Sequence, residues 1–275
     1  MNRIIYIAGK NDIACNALDF LVNEFGYPKK NIKVICVSSD NGESTWQKSL
    51  RRTAEKNCVE IVPIHAAYDD STALFISLEY DQIIRTSKFK TKSLYNIHFS
   101  KLPSYRGIGM AVWPLINGEK ESGVTLHEID DGIDTGRIIH QKTFQVPLTW
   151  TSRDLYQAFL DNGYILFKEC ISGLITGSYN AISQDIIDAS YFSRLELDYS
   201  NIEINFNKTA YQVHNQIRAF IFPEYQLPVV CGRKVIKSEI LNIRSTKKPG
   251  LLVSEDSSSA CISTVDYDVR IVFAV

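Results

Sequence analysis

The sequence of 275 residues lacks several patterns that would indicate a function directly. The G-x-G-x-x-G fingerprint and the G-x-x-x-x-G-K-[ST] loop are both absent, and the turn after the first apolar run holds one glycine, Gly9. No apolar run approaches the length of a membrane-spanning helix. Lys and Arg total 30 against 31 Asp and Glu, so the net charge is −1. These absences argue against a nicotinamide or flavin enzyme, a membrane protein, and a protein that grips nucleic acid through its phosphates.

The cysteines form no C-x-x-C pair. Neighbouring cysteines are at least 21 residues apart, which fits neither a zinc knuckle nor a disulfide-rich secreted scaffold. The apolar stretch at the N-terminus is too short for a signal peptide and is interrupted by Lys10 and Asp12. We therefore expect a cytoplasmic protein with buried, reduced thiols. The six cysteines are Cys15, Cys36, Cys58, Cys170, Cys231 and Cys261.

The first ninety residues alternate between strand and helix patterns. Apolar runs predict strands at 4–8, 32–37 and 59–64, with a fourth strand at 82–85. A helix capped by Asn11 or Asp12 and another helix near 45–56 lie between them. This alternation predicts an α/β protein with a Rossmann-like, doubly wound, mostly parallel sheet, which binds ligands at the carboxyl ends of its strands.

The pattern changes in the second half of the chain. Strands are predicted at 95–100, 123–129 and 137–146, a short helix at 111–116, and a long helix at 151–176 capped by Thr151 or Ser152. After about residue 190 a helix near 209–220 precedes short β-rich segments. We predict a catalytic domain at 1–190 and a smaller β-rich C-terminal domain at 191–275.

The chemistry-bearing residues lie between 95 and 140. Asn96 and His98 are two apart in a predicted strand, so their side chains share a face. The acidic turn Asp130–Gly136 can aim a carboxylate back toward His98. An imidazole base, a carboxylate that orients it and an amide that binds an oxyanion suit acyl transfer to an amine. On spacing alone, a structural polar pair beside an ordinary loop is the more frequent case.

Two segments resemble a known family. Asn96-Ile-His-Phe-Ser-Lys-Leu-Pro-Ser-Tyr-Arg-Gly107 and Gly123-Val-Thr-Leu-His-Glu-Ile-Asp-Asp-Gly-Ile-Asp-Thr-Gly-Arg-Ile138 resemble the signature of the formyltransferases that use 10-formyltetrahydrofolate. The resemblance covers most of residues 1–180 and matches the family's catalytic Asn, His and Asp to Asn96, His98 and Asp134. It implies the formyltransferase fold, no metal, and a folate held beside the acceptor amine.

The resemblance also implies folate contacts, with two departures from the family's pattern. Phe99 stands where a proline is usual, and Lys101 replaces a customary apolar residue. His127 and His140 lie on strands outside the catalytic set, and we interpret both as structural. The implied folate-binding residues are Phe89, Ser100, Leu102, Asp130 and Gly132.

The sugar N-formyltransferases resemble this chain from end to end. Residues 190–275 hold 10 Lys plus Arg and 9 Asp plus Glu, a net charge of +1 that does not indicate an RNA-binding appendage. The branch resembled most acts on dTDP-4-amino-4,6-dideoxyglucose, for bacterial surface polysaccharide such as O-antigen. Expected substrate contacts include stacking of Tyr225 on the thymine and pairing of Arg218 with the diphosphate. The substrate-binding residues expected are Trp46, Tyr105, Phe192, Arg218 and Tyr225.

Three alternatives share these residues. A methionyl-tRNA formyltransferase would act on charged initiator tRNA, a formyltetrahydrofolate hydrolase would activate water, and a non-catalytic module would bind folate or nucleotide without turnover. We also expect a homodimer, because the β-rich tail is small and its apolar residues 270–275 suit strand pairing between two copies.

Overall fold

A computed structural model describes residues 3–274. The chain forms two compact units that alternate along the sequence: 3–107, 123–143 and 158–191 in the first, and 108–122, 144–157 and 192–274 in the second. The last change between units falls at residues 191 and 192, while two earlier segments also belong to the second unit. The functional division into 1–190 and 191–275 stays a prediction.

A seven-stranded sheet contains the first unit's core and has the order β3-β2-β1-β4-β5-β7-β8. The first five strands of this order are parallel, and β5 pairs with β7 in the antiparallel direction. Strands β1 and β4 are buried along their whole length, as expected for a parallel sheet covered on both faces. The predicted doubly wound fold is confirmed. The strands are β1 (Ile5–Gly9), β2 (Ile32–Cys36), β3 (Glu60–Ile61), β4 (Leu74–Leu78), β5 (Leu94–His98), β7 (Glu121–Glu128) and β8 (Ile138–Gln145).

Helices follow the predicted positions with shifted ends. The first helix continues into a π-helical turn at Phe20–Glu24. The longest helix is capped by Thr151. The Thr151 hydroxyl accepts a hydrogen bond from the backbone N–H of Asp154, and the backbone N–H of Thr151 donates to the Asp154 carboxylate. Among the described residues, no helix is long and apolar enough to cross a membrane. The helices are α1 (Asn11–Asp19), α2 (Leu50–Asn57), α3 (Trp113–Ile116), α4 (Ser152–Thr176) and α5 (Ala210–Ala219).

Three local predictions were wrong. The fourth strand is β4 and not residues 82–85, and its buried apolar run was not among the predicted strands. Neither Asn11 nor Asp12 caps α1, because Lys10 occupies that position without a side-chain bond. Helix α2 begins only at Leu50, where the Ser49 hydroxyl accepts from the N–H of Arg52.

A five-stranded antiparallel sheet dominates the second unit, in the order β10-β11-β14-β13-β12. Helix α5 packs Val213 and Ile217 against this sheet, beside Val235, Val269 and Ile271. The strands are β10 (Val229–Val230), β11 (Arg233–Arg244), β12 (Leu252–Glu255), β13 (Ser259–Ile262) and β14 (Tyr267–Phe273). Two further strands of two residues each are β6 (Arg106–Gly107) and β9 (Tyr191–Phe192).

The predicted strand pairing between copies is wrong for residues 270–273. Strand β14 lies inside its sheet, and both of its edges are already paired, with β11 and with β13. Val275 lies outside the described residues. The edge strands of this sheet are β10 and β12, so β14 has no open edge for a second copy. The homodimer itself stays a prediction.

The cysteines are all free, as expected, but they are not all buried. Cys15 is buried and three others are half-buried, whereas Cys58 and Cys231 are exposed. Both exposed residues have positive φ, 56° and 51°, because each lies at a sharp change of chain direction: the end of α2 and the turn between β10 and β11. The prediction of burial was wrong for these two.

Candidate active site

The sheet order places a topological switch point between β1 and β4, where ligands bind in doubly wound folds. A Cβ on Gly9 would lie 1.9 Å from the carbonyl oxygen of Leu78, so only glycine allows these strand ends to approach. Asn11 and Glu79 follow the two strands with φ of 61° and 58°, and the Asn11 amide donates to the Glu79 carboxylate at 3.3 Å. Strained polar residues at this edge of the sheet point to a functional cleft.

The three predicted catalytic side chains come together beside this point. Asn96 and His98 lie at the carboxyl end of β5, and Asp134 lies in the loop before β8 with φ of 54°. The carboxylate is 3.5 Å from His98 through Oδ2 to Nδ1, and 3.5 Å from Asn96 through Oδ1 to Nδ2. The shared face of Asn96 and His98 is therefore confirmed, while the catalytic roles stay a prediction.

Asp134 is held in place by one backbone amide and one glutamine side chain. The N–H of Gly107 donates to Oδ2 at 2.9 Å, and the carbonyl of Asp134 accepts from the side-chain amide of Gln184 at 2.8 Å. Burial alone would raise the pKa of Asp134, but His98, His127 and the Gly107 amide together hold it well below its ordinary value. Asp134 is therefore ionised at neutral pH. Gln184 had no signal in the sequence, because its role depends on distant loops.

A backbone carbonyl fixes the tautomer of His98. Its Nε2 lies 2.8 Å from the carbonyl oxygen of Tyr105, so Nε2 carries the hydrogen and donates it. The lone pair is then on Nδ1, facing Asp134. Burial lowers the pKa of His98, and Asp134 opposes this only in part. A neutral imidazole with a free Nδ1 is a base, and the carboxylate beside that nitrogen stabilises the imidazolium that forms when it takes a proton.

His127 belongs to the same cluster, contrary to the prediction that it lies outside the set. It is paired with Asn96 in the β5–β7 register and is 2% exposed. Its Nε2 lies 3.1 Å from the Asn96 amide nitrogen and 3.5 Å from Asp134 Oδ1. Both strands were predicted, but only their antiparallel register brings the two residues opposite each other. His140, the other histidine interpreted as structural, is exposed on β8.

The residues expected to bind folate lie mostly within the packing of the first unit. Phe89 is buried, with its ring 4.8 Å from Tyr68 and 5.2 Å from Phe75. Ser100 is fully buried and donates to the carbonyl of Ser104 at 2.9 Å. Leu102 is 2% exposed. Folate contacts by these three residues stay a prediction.

The acidic turn offers its residues to solvent. Asp130 and Gly132 are both exposed, and the Asp130 carboxylate accepts from the Gly132 N–H at 3.1 Å and from the Thr135 hydroxyl at 2.6 Å. Asp130 thereby shapes the loop that carries Asp134. A folate contact at this turn also stays a prediction. Phe99, which departs from the family's pattern, stacks on Phe159 of α4 at 5.4 Å.

For four of the expected substrate-binding residues, contact with the substrate stays a prediction. Trp46 and Tyr105 are half-buried in the first unit, and Tyr105 has φ of 63°. In the second unit, Phe192 stacks on Trp113 with ring centroids 4.6 Å apart, so it contributes to the packing of that unit. Tyr225 is 65% exposed and presents an aromatic surface that suits stacking on a base.

Arg218 does not fit the expected diphosphate contact. It is 2% exposed, and its guanidinium donates to Asn215 at 2.9 Å and to the carbonyls of Pro147 and Trp150 at 3.1 and 2.9 Å. Burial and these internal bonds of Nε and Nη1 argue against the diphosphate contact, which stays a prediction. The spacing of the apolar residues in α5 did not predict that Arg218 would be buried.

Comparison with known proteins shows which family the chain belongs to. The model of the formyl transferase family matches residues 64–171, and that of the formyl transferase C-terminal domain matches residues 196–273. The crystal structure of WlaRD, a sugar 3N-formyl transferase, is 42% identical, covers 99% of this chain and 98% of its own, and gives a TM-score of 0.93. The chain belongs to the formyltransferase family.

A second similar structure lies in the same branch of the formyltransferase family. The N-formyltransferase from Helicobacter canadensis, in complex with folinic acid and dTDP-3-aminofucose, is 41% identical over 99% of this chain and all of its own, with a TM-score of 0.92. A 4-N formyltransferase from Francisella tularensis is 21% identical over 82% of this chain and 90% of its own, with a TM-score of 0.65, and shares the fold. The sugar N-formyltransferase resemblance is thus confirmed.

Curated relatives include methionyl-tRNA formyltransferases. That of Clostridium novyi is 32% identical over 58% of this chain, and that of Clostridium tetani is 24% identical over 97%. The chain covers about half of the Clostridium novyi protein, 52%, and 89% of the Clostridium tetani protein. Within residues 3–274, no cluster of three or more His, Cys, Asp or Glu side chains is arranged to hold a metal ion.

Proposed function

We propose that this protein is a sugar N-formyltransferase that moves the formyl group of 10-formyltetrahydrofolate to the amine of a dTDP-linked amino-dideoxy sugar. The observation that carries this proposal is the identity of 41–42%, over nearly the whole chain, with two sugar N-formyltransferases. One of those structures contains dTDP and 5-N-formyl-tetrahydrofolate, and the other contains folinic acid and dTDP-3-aminofucose. The convergence of Asn96, His98 and Asp134 supplies the chemistry such a transfer needs.

The acceptor amine is proposed to be on C3 of a 3-amino-3,6-dideoxyhexose. The sequence favoured a 4-amino sugar, but the two structures of highest similarity described above are a sugar 3N-formyl transferase and a complex with a 3-amino sugar. The 4-N formyltransferase is only 21% identical, which supports no more than a common fold. We therefore give the 3-amino sugar preference and retain the 4-amino sugar as its competitor.

The reaction divides among the three side chains. His98 accepts a proton at Nδ1 as the amine nitrogen bonds to the formyl carbon and the carbonyl electron pair moves to oxygen. An N–H of Asn96 donates to that oxyanion, and Asp134 stabilises the His98 imidazolium. The C–N bond to the folate then breaks, and His98 returns the proton to the departing nitrogen. The products are a formamido sugar and tetrahydrofolate.

A mass-spectrometric assay tests this function. The protein is incubated with 10-formyltetrahydrofolate and a panel of dTDP-, UDP- and GDP-linked sugars that carry an amine on C3 or C4. We expect the dTDP-3-amino sugar to gain one formyl group at the highest kcat/KM. Release of formate without any amine would instead indicate a hydrolase, and binding without turnover would indicate a non-catalytic module.

A methionyl-tRNA formyltransferase is the second candidate, since curated relatives with that activity match at 24–32% identity. The net charge of +1 over residues 190–275 counts against an acceptor-stem contact. Formylation of charged initiator tRNA, measured beside the sugar panel, decides between them.

The assembly and compartment are proposals of the same kind. We propose a cytoplasmic homodimer whose product enters surface polysaccharide such as O-antigen. Size-exclusion chromatography with light scattering measures the mass in solution directly. A monomer at micromolar concentration would remove the dimer from this proposal.

A further inference from the structure

The protonation pattern of His127 follows from its neighbours. Its Nδ1 lies 2.7 Å from the carbonyl oxygen of Glu128, and a carbonyl only accepts, so Nδ1 carries the ring hydrogen. In the neutral ring, Nε2 then has a lone pair and no hydrogen; only the imidazolium would carry a hydrogen on Nε2, toward Asp134 Oδ1 at 3.5 Å. This lone pair faces the Asn96 amide nitrogen at 3.1 Å. The two histidines of the cluster are therefore held as opposite tautomers, His98 with its hydrogen on Nε2 and His127 with its hydrogen on Nδ1.

This pattern decides which way the Asn96 amide faces. Only the NH2 end of an amide can donate to the Nε2 lone pair of His127, so the NH2 group is turned toward the site and not the carbonyl oxygen. One amide hydrogen is used by His127. The other is directed toward Asp134 Oδ1 at 3.5 Å, a long contact that an incoming oxyanion can replace. With the amide reversed, Asn96 would present a carbonyl oxygen to the oxyanion and repel it.

We propose that His127 is a positioning residue for the formyl transfer: it accepts one hydrogen of the Asn96 amide and so aims the other at the oxyanion. The inference rests on the proposed function of the same site. Because the oxyanion exists only in the transition state and the tetrahedral intermediate, loss of this orientation lowers kcat and leaves KM for the sugar and the folate unchanged. A histidine that only filled the core would instead lower stability with no selective effect on kcat.

Two conservative variants separate the two ring nitrogens. In His127→Gln, the longer side chain reaches the Nε2 position and its carbonyl oxygen accepts from Asn96. In His127→Asn, the shorter side chain replaces the Nδ1 contact with Glu128 and leaves Asn96 without its acceptor. His127→Leu removes both contacts, and His140→Leu is the matched control because His140 is an exposed histidine on the adjacent strand β8.

The experiment measures kcat, both KM values and the thermal unfolding midpoint of all four variants, in the assay with the dTDP-3-amino sugar. We expect His127→Asn and His127→Leu to lose roughly 10²-fold in kcat, near the lower end of the effect of removing an oxyanion donor. His127→Gln should keep at least tenfold more kcat than His127→Asn at equal KM, and His140→Leu should match the wild type. Equal kcat in the Gln and Asn variants, or a loss confined to KM, would overturn the proposal.

A spectroscopic measurement keeps the proposal testable if the proposed acceptor is wrong. The nitrogen-15 shifts of His127 are expected to show a protonated Nδ1 and an unprotonated Nε2, and the side-chain amide signals of Asn96 are expected to move in His127→Leu but not in His127→Gln. A protonated Nε2 at neutral pH would overturn the inference. If the shifts are as expected and no amino sugar is formylated, the proposed function fails while the positioning of Asn96 stands.

Discussion

At the scale of single residues, the site is a carboxylate between two histidines of opposite tautomer. Asp134 contacts His98 through one oxygen and His127 through the other, each at 3.5 Å. Backbone carbonyls of Tyr105 and Glu128 determine which nitrogen of each neutral ring carries no hydrogen. The catalytic assignment therefore depends on main-chain groups as much as on the three side chains that the motif predicts.

Substitution of the two β5 residues tests the roles directly. Asn96→Ala removes the oxyanion donor, and we expect kcat to fall by about 10²–10³-fold. His98→Asn removes the base, and we expect a fall of about 10²–10⁴-fold. Steady-state formylation with the dTDP-3-amino sugar measures both, with circular dichroism as the control for folding. Near-normal kcat in either folded variant would contradict its assigned role.

The pH dependence follows from the burial of His98. Burial lowers the pKa of this histidine, so the neutral, basic form persists below the ordinary value of about 6.5 and is lost only as the pH falls further. We expect the acid limb of kcat/KM to have its midpoint below pH 6.5. A pH–rate profile between pH 4.5 and 8 measures it. An acid limb above pH 7 would show that the ring is stabilised in its charged form in the free enzyme.

At the scale of elements, the switch point between β1 and β4 depends on one glycine. In Gly9→Ala the new Cβ would meet the Leu78 carbonyl at 1.9 Å, so the central strands must separate. We expect a loss of stability of at least about 4 kcal/mol, as for severe overpacking of a core, or no folded protein. Urea unfolding measures it.

Gly26→Ala is the matched control. Gly26 also ends an element, with φ of 71°, but nothing lies within 4 Å of its added Cβ. It should cost only about 1–2 kcal/mol of left-handed backbone strain. Equal losses in the two variants would mean that the close approach of β1 and β4 does not determine the stability of the sheet.

Helix α5 contains the buried arginine that the sequence did not reveal. Arg218→Lys retains the charge but loses the planar fork that reaches Asn215, Pro147 and Trp150. We expect a loss of about 1–3 kcal/mol of stability from the unpaired acceptors, with KM for the nucleotide sugar unchanged. Thermal unfolding and steady-state kinetics measure the two effects. A raised KM at unchanged stability would restore the diphosphate contact.

The elements also show where sequence reasoning succeeds. Apolar runs and helical periods place most strands and helices, since they report burial directly, and the alternation in β5 puts Asn96 and His98 on one face. Register and internal polar bonding are set by tertiary structure. For that reason the sequence missed the pairing of His127 with Asn96, the contacts of Gln184 and the burial of Arg218.

At the scale of the whole molecule, the near-neutral charge and the similarity to sugar N-formyltransferases favour the same acceptor class. A nucleotide sugar offers two phosphates, so few counterions are released on binding. We expect kcat/KM to fall by less than about tenfold between 50 and 200 mM salt, whereas six to ten phosphate contacts to RNA would cost about 10³–10⁵-fold. A salt titration of the initial rate measures this. A steep slope would favour the tRNA alternative.

The transfer of a formyl group to an amino sugar is the central claim, and one assay tests it most directly. Wild type and His98→Asn are each incubated with 10-formyltetrahydrofolate and an equimolar mixture of dTDP-3-amino and dTDP-4-amino sugars, and the products are followed by mass spectrometry. We predict that the wild type formylates the 3-amino sugar first and that His98→Asn forms no product on the same timescale. No formyl transfer to either sugar by the folded wild type would contradict the account.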